Sequence, residues 1–198
     1  MSPTEILAMF VAKVDSRECL LKPFRIGEFV YATNGHWIAR VPGDGLQADD
    51  ITDKHPKNVE ALFDAAPTEG FMPLPKVKNP GVCMTCKGKG FGTTRQCGNC
   101  GGRGSFEQDG YDYECQSCDG EGEIFSASTG GPDACPHCYG LGVPDNSGGT
   151  KVGAITYANR YLWLLRKLPA IQIAPGQPEK SARLRFKGGE GLLMPYRD

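Results

Sequence analysis

The sequence predicts an α+β fold, in which a helix-plus-sheet domain is interrupted by a small glycine-rich insert with two zinc sites. Apolar residues at helical spacing precede strand-like runs before the insert, and a strand, a helix and further strands follow it. Between the two parts, eight of the nine cysteines fall within residues 83–142. We therefore predict a discontinuous domain of residues 1–80 and 146–198, and a cysteine-rich domain of residues 81–145.

The first predicted element is a helix at the N-terminus. Ser2 is a suitable N-cap, Pro3 fits the first turn, and Glu5 completes a capping box. Apolar residues then recur on one face, at Leu7, Phe10, Val11 and Val14.

A β-hairpin is predicted next. Residues 24–31 form a strand-like run, Asn34-Gly35 is a turn signal, and residues 37–41 form the return strand. Residues 59–66 fit either a short helix or a strand.

The part after the insert repeats this order of elements. Residues 152–157 are predicted as a strand, residues 159–168 as a helix that Pro169 ends, and three short strands follow at residues 171–174, 182–187 and 192–196. In the middle one, cations alternate with Leu184 and Phe186, which places Arg183, Arg185 and Lys187 on one face.

The insert is built from four copies of the pattern C-x-x-C-x-G-x-G. The copies begin at Cys83, Cys97, Cys115 and Cys135, and their second cysteines are Cys86, Cys100, Cys118 and Cys138. Four thiolates bind one Zn²⁺ as a tetrahedron, so eight thiols suit two Zn²⁺ ions. The glycines fit a tight metal-binding turn, which often requires positive φ. Spacing alone leaves open which pairs share a metal.

This repeat resembles the cysteine-rich zinc domain of DnaJ-type co-chaperones. The resemblance implies that the first copy pairs with the fourth and the second with the third. One zinc would then bind Cys83, Cys86, Cys135 and Cys138, and the other Cys97, Cys100, Cys115 and Cys118. It also implies binding of a protein partner or an unfolded chain, for which we select the apolar residues Phe106, Tyr111, Tyr113, Ile124 and Phe125. We recognise no J-domain of that family in these residues, because His55-Pro56-Lys57 lacks its aspartate.

The flanking domain resembles one domain of the bacterial DNA polymerase III β sliding clamp. Three short segments carry this resemblance: residues 31–39, with the Asn-Gly-His turn, residues 159–168, and residues 192–197, which read Leu-Leu-Met-Pro-Tyr-Arg. Asn34 and Trp37 depart from the clamp pattern, which has aspartate and arginine there. The resemblance implies that Arg160, Arg166 and Lys167 face DNA. A solvated helix face is the alternative interpretation of these cations.

Charge is unevenly distributed along the chain. The net charge of the chain is −1, but residues 83–142 carry −4 and residues 151–198 carry +6. Phosphate contacts need positive charge, so only the C-terminal part suits DNA. The insert suits protein contacts instead.

The predicted function is that of a non-enzymatic zinc-binding adaptor. No phosphate-binding loop, nucleophile elbow or H-E-x-x-H motif is present in the sequence. The alternatives are a DNA-associated replication accessory factor and a thiol–disulfide oxidoreductase that uses the C-x-x-C pairs. A disulfide framework and an iron–sulfur cluster are further interpretations of the cysteines.

No secretory signal or membrane span is recognised, so we expect a cytoplasmic protein without a membrane partner. The partner's identity and the oligomeric state are not indicated.

Overall fold

The structure is a computed structural model that describes residues 1–51, 58–145, 147–177 and 179–196. The segment His55-Pro56-Lys57, Asn146 and Arg197 therefore lie outside the described residues. The chain divides into two compact units. One comprises Met1–Pro80 and Asp145–Asp198, and the other comprises Gly81–Pro144.

The elements before the cysteine-rich unit Gly81–Pro144, called the array below, are short. In chain order they are α1 (Pro3–Phe10), a 3-10 helix (Glu18–Leu20), β1 (Phe24–Ile26), β2 (Phe29–Thr33), β3 (Trp37–Pro42), β4 (Asp49–Asp50), α2 (Val59–Asp64) and β5 (Met72–Pro73).

The array and the segment after it contain ten further strands and one helix among the described residues. The array contributes β6 (Phe91–Gln96), β7 (Ser105–Gln108), β8 (Tyr111–Glu114), β9 (Glu123–Ala127) and β10 (Asp133–Ala134). The C-terminal segment contributes β11 (Gly149–Val152), β12 (Ile155–Ala158), α3 (Asn159–Leu165), β13 (Gln172–Ala174), β14 (Ala182–Phe186) and β15 (Gly189–Leu193).

One eight-stranded sheet organises the first unit. Its strand order is β4-β1-β2-β3-β15-β14-β13-β5. The pairing of β15 with β3 is antiparallel, with Leu192 opposite Ile38, and it joins the N-terminal and C-terminal segments. The two segments therefore form a single sheet. The array contains a three-stranded sheet, β10-β6-β9, and the β7–β8 hairpin.

The predicted clamp-like α+β fold is wrong, because the structure is dominated by strands. The three described α-helices have only eight, six and seven residues. The helix predicted through Val14 ends at Phe10, and Val14 is 51% exposed. The predicted strand over residues 152–157 is instead the β11–β12 hairpin, which turns at Gly153 with φ of 63°. The predicted helix over residues 159–168 ends at Leu165.

Helices cover both faces of the large sheet. Phe10 of α1 packs against Trp37, with ring centroids 4.5 Å apart. On the opposite face, Phe63 of α2 contacts Tyr31 edge to face at 6.0 Å. Both faces are buried there because β2 alternates between them, with Val30 and Tyr31 each fully buried.

Two local predictions are confirmed in this unit. The capping box is formed, since the Ser2 hydroxyl accepts a hydrogen bond from the Glu5 N–H and the Glu5 carboxylate accepts one from the Ser2 N–H. The Asn34-Gly35 hairpin is formed by β2 and β3, which pair antiparallel. No helix in the described ranges has the length and apolarity needed to span a bilayer.

Candidate metal centres

The eight array cysteines form two buried clusters of four. One cluster comprises Cys83, Cys86, Cys135 and Cys138, and the other Cys97, Cys100, Cys115 and Cys118; within each, the four Sγ atoms lie within 4.8 Å of one another. The structure thus brings together the first copy with the fourth and the second with the third. This is the grouping that the DnaJ-type resemblance implies.

The sulfur separations match a tetrahedral zinc site. The Sγ atoms of Cys83 and Cys135 are 3.9 Å apart, and those of Cys86 and Cys138 are 3.7 Å apart. The corresponding separations in the second cluster are 3.9 and 3.8 Å. A tetrahedron with Zn–S bonds of about 2.3 Å has edges of about 3.8 Å. Disulfide sulfurs lie about 2.05 Å apart, so these thiols are not paired as disulfides.

Each copy of the repeat forms a tight turn, a knuckle, whose shape depends on three residues after the second cysteine. The residue after the second cysteine is left-handed in all four copies, with φ between 47° and 60° at Lys87, Gly101, Asp119 and Tyr139. Both glycines that follow also have positive φ, for example 82° at Gly102 and 77° at Gly104. Glycine adopts these angles without a Cβ penalty, which is why the repeat retains it.

The backbone N–H of the last glycine of each copy donates a hydrogen bond to the sulfur of that copy's second cysteine. The N–H groups of Gly90 and Gly142 lie 3.2 Å from the Sγ atoms of Cys86 and Cys138. The N–H groups of Gly104 and Gly122 make the same bonds in the second cluster, at 3.3 Å. An N–H donor stabilises a thiolate over a thiol, so the backbone favours the metal-binding form of these sulfurs.

Paired copies also exchange backbone hydrogen bonds. In the second cluster, the Cys97 N–H donates to the Gly122 carbonyl and the Cys115 N–H donates to the Gly104 carbonyl, both at 2.8 Å. A Cβ at Gly104 would overlap the carbonyl oxygen of Gly120, and one at Gly122 would overlap that of Gly102. The first cluster has the same reciprocal arrangement. The glycines therefore permit both the knuckle and its contact with the partner knuckle.

Proton affinities differ among thiols of one cluster. Burial opposes ionisation of Cys100, but the Gly104 N–H and the neighbouring thiols donate to its sulfur, so its pKa falls to about 7. Burial raises the pKa of Cys118 to about 12. In the other cluster, burial likewise raises the pKa of Cys138. Four thiolates at this spacing repel one another, and a divalent cation at the centre removes the repulsion.

An all-sulfur donor set of this geometry fits Zn²⁺. Soft thiolates in a tetrahedron are typical of zinc and of iron–sulfur centres, and in each cluster the four Sγ atoms lie within 4.8 Å of one another, as around a single ion. Four protein ligands leave no open coordination position. Such a site is structural, since a catalytic zinc retains a water or substrate position.

The residues predicted to contact a partner fall into two groups. Phe106, Tyr111 and Tyr113 belong to the β7–β8 hairpin and are 39%, 69% and 47% exposed. Ile124 is partly buried against the second cysteine cluster, and Phe125 against the first. The hairpin aromatics are thus available for contact, whereas Ile124 and Phe125 pack inside the unit.

The three cations predicted to face DNA lie in different environments. Arg160 is only 7% exposed, forms an ion pair with Asp145, and donates to the Tyr161 hydroxyl at 3.0 Å. Arg160 therefore does not present a free cation to solvent. Arg166 and Lys167 are exposed, and the Arg166 guanidinium lies 5.0 Å from the centre of the Trp163 ring.

Sequence reasoning missed the β7–β8 hairpin itself. Asp109 and Gly110 form its two-residue turn, with φ of 54° and 78°, and Asp-Gly between alternating residues is a hairpin signal. Reading residues 105–114 with period two would also have revealed carboxylates between the aromatic positions, at Glu107, Asp112 and Glu114.

Comparison with known proteins gives no relative. No protein-family model, curated protein or solved structure matches the chain. The geometry of the two clusters therefore carries the functional argument.

Proposed function

We propose that this chain is a non-enzymatic zinc-binding adaptor, whose cysteine-rich unit is a DnaJ-type module that binds a protein partner or an unfolded chain. The observation that supports this most directly is the pair of closed four-sulfur sites. A closed site stabilises a fold and leaves no metal position for a substrate. The zinc ions would then serve to hold the surface of Gly81–Pro144 in one conformation.

Metal is needed because the unit has little other core. Its two described hydrophobic clusters are formed by the cysteines themselves, with Phe125, Ala127 and Ile124 packed against them. Small modules of this kind obtain their folding free energy from metal binding. Reduced thiols suit a reducing compartment, so the proposal includes a cytoplasmic location.

The proposed contact surface is the β7–β8 hairpin. Exposed aromatic side chains are enriched at protein interfaces, where their burial contributes much of the binding free energy. Phe106 and Tyr113 face each other across the strands, with ring centroids 6.1 Å apart. Tyr111 lies two residues from Tyr113 and therefore on the same face.

The experiment has two parts, both on the full chain. Native mass spectrometry should give two Zn²⁺ per chain, and eight thiols should become reactive only after chelation. The zinc-loaded protein is then titrated into a fluorescently labelled, reduced and alkylated unfolded protein. Combining Phe106→Ser with Tyr111→Ser should weaken binding at least about tenfold, as expected when two aromatic anchors are removed.

Tyr139→Asn is the matched control for this test. Tyr139 is 52% exposed in the same unit but lies outside the hairpin, at φ of 52°. Asparagine tolerates that φ, so the fold should be retained. Equal binding by the double variant and the wild type would refute a role for the hairpin. Phe125 is unsuitable for substitution, because it packs against the first cysteine cluster.

The two alternative functions predict different results. A DNA accessory factor would bind duplex DNA with steep salt dependence that Arg166 and Lys167 control. A thiol–disulfide oxidoreductase would reduce insulin until one cysteine pair is replaced by serine. The burial of Arg160 weakens the support for the DNA-binding function. The grouping of all eight thiols into two candidate metal sites weakens the support for the oxidoreductase, because thiolates that bind a metal are poor redox catalysts.

A further inference from the structure

The two faces of the β7–β8 hairpin differ in chemistry. Opposite residues across the strands are Phe106 and Tyr113, then Gln108 and Tyr111, on one face. The other face carries the pair Glu107–Asp112 and, next to it, Glu114. Side chains alternate between the faces of a strand, so one face is aromatic and the other is acidic.

The hairpin strands and their turn carry only negative charge, although Arg103 lies beside Asp112 and Glu114. Residues 105–114 include four carboxylates and no lysine or arginine. The adjacent second cluster adds about two negative charges when four thiolates bind one Zn²⁺. The faces of aromatic rings are also electron-rich and attract cations. Both faces therefore favour positively charged groups.

The edge of the hairpin suits an extended chain. Within the described residues, β8 pairs only with β7, so its other edge has no strand partner. An extended segment can add to such an edge through main-chain hydrogen bonds. Successive side chains of the added strand would then lie alternately over the aromatic face and the acidic face.

We propose that the β7–β8 hairpin binds an extended, basic segment of a partner protein. The inference rests on the proposed function and specifies the partner's chemistry. Arginine or lysine side chains of that segment stack on Tyr111 and Tyr113 on one face. The neighbouring cations pair with Asp112 and Glu114 on the other face. A duplex nucleic acid is excluded by its negative charge.

The test compares three labelled ten-residue peptides with the zinc-loaded full chain by fluorescence anisotropy. The three peptides share the same threonine and valine residues. Their four remaining positions are all arginine in the first peptide, all glutamate in the second and all leucine in the third. The arginine peptide should bind at least about tenfold more tightly than the leucine peptide, and the glutamate peptide should not bind. Because surface charge pairs are screened by salt, binding of the arginine peptide should fall about fivefold between low and moderate ionic strength.

Variants then assign this preference to the two faces. Combining Asp112→Asn with Glu114→Gln should weaken arginine-peptide binding about fivefold and reduce its salt dependence. The control is Glu28→Gln, which removes an exposed carboxylate of the other unit and should leave peptide binding unchanged. Tyr113→Phe should retain binding and Tyr113→Leu should lose about threefold, because only the ring provides cation–π attraction. Two zinc ions per chain in each variant verify the fold.

Two results would overturn the inference in distinguishable ways. Hairpin-dependent binding of the leucine peptide at equal or higher affinity would reject a basic partner while leaving the proposed adaptor function intact. Absence of hairpin-dependent binding for every peptide, and also for the unfolded protein, would reject both. The peptide comparison on the wild-type chain decides the charge preference even where a variant fails to fold.

Discussion

Replacing Gly104 with alanine should selectively disable the second metal site. The residue has φ of 77°, its N–H donates to the Cys100 sulfur at 3.3 Å, and its carbonyl accepts from the Cys115 N–H at 2.8 Å. An added Cβ would overlap the backbone carbonyl oxygen of Gly120. Backbone on both sides would have to separate, so the substitution would break both hydrogen bonds.

The free-energy cost of Gly104→Ala can be compared with that of Gly101→Ala, a substitution in the same knuckle. Gly101 has φ of 60° and no atom within 4 Å of an added Cβ, and the equivalent positions already hold Lys87, Asp119 and Tyr139. Gly101→Ala should therefore cost only left-handed strain, about 1–2 kcal/mol. Gly104→Ala adds the loss of one ordinary hydrogen bond and one to a charged acceptor, together about 3 kcal/mol. Since 1.4 kcal/mol is a factor of ten, zinc affinity should fall about 100-fold further.

Competition with a chromophoric zinc chelator measures this difference. The wild type should release its two zinc ions within about one decade of chelator concentration, and Gly101→Ala should release the second-site zinc at a concentration roughly 5- to 30-fold lower than the wild type. Gly104→Ala should release that zinc at a chelator concentration about 100-fold lower again than Gly101→Ala does, and it should retain the zinc of the first site. An equal loss of zinc affinity in the two alanine variants would show that φ strain, rather than close contact between knuckles, determines the affinity of the second site. That result would refute the geometric reasoning.

Three other predictions concern the metal and the sheet. Chelation should confine new proteolytic cleavage to residues 81–144, since the sheet unit has its own core and the array does not. Zinc should load first onto the second and third copies, because their paired cysteines are separated by 18 residues and those of the first and fourth by 52. The difference in loop-closure entropy favours this order by about 1 kcal/mol, which stepwise titration followed by native mass spectrometry would detect. Glu190→Gln should lower the free energy of unfolding by about 2 kcal/mol, because it leaves Arg40 and Arg183 without the carboxylate that both contact. Thermal denaturation measures this loss, and Glu28→Gln, at an exposed carboxylate, is the control. Although burial opposes ionisation of Glu190, hydrogen bonds from the two arginines lower its pKa, so this contribution is present above the unfolded carboxyl pKa and is lost as pH falls through the folded value.

Local signals in the sequence were sufficient for features that depend on neighbouring residues. The Ser2–Glu5 capping box, the Asn34-Gly35 hairpin and the alternation of Leu184 and Phe186 into the core all depend on contacts within a few residues or on strand period. The thiol clusters were also anticipated as metal sites, because a repeated knuckle carries its ligands and its glycines together.

The fold class was wrong because it depends on distant pairings. Strand β15 pairs with β3 about 150 residues earlier, as the Arg40–Glu190 contact across them shows. No local period reveals such a pairing, so two helix-plus-sheet halves were inferred where one sheet exists. The turn at Gly153 was missed for a related reason, since a single glycine within an apolar run does not distinguish a strand from a hairpin.

The pairing of the copies also explains how the array fits within another domain's sequence. The first and fourth copies bind each other directly, with the Cys83 N–H donating to the Gly142 carbonyl at 2.9 Å. The two ends of the cysteine-rich unit therefore lie side by side. A module with adjacent ends can occupy a chain connection of another domain without forcing its strands apart. The second and third copies are nested inside this closure and carry the β7–β8 hairpin between them. This nesting places the two candidate metal sites differently: the outer site lies where the ends of the module meet, and the inner site lies at the base of the hairpin that we propose contacts the partner.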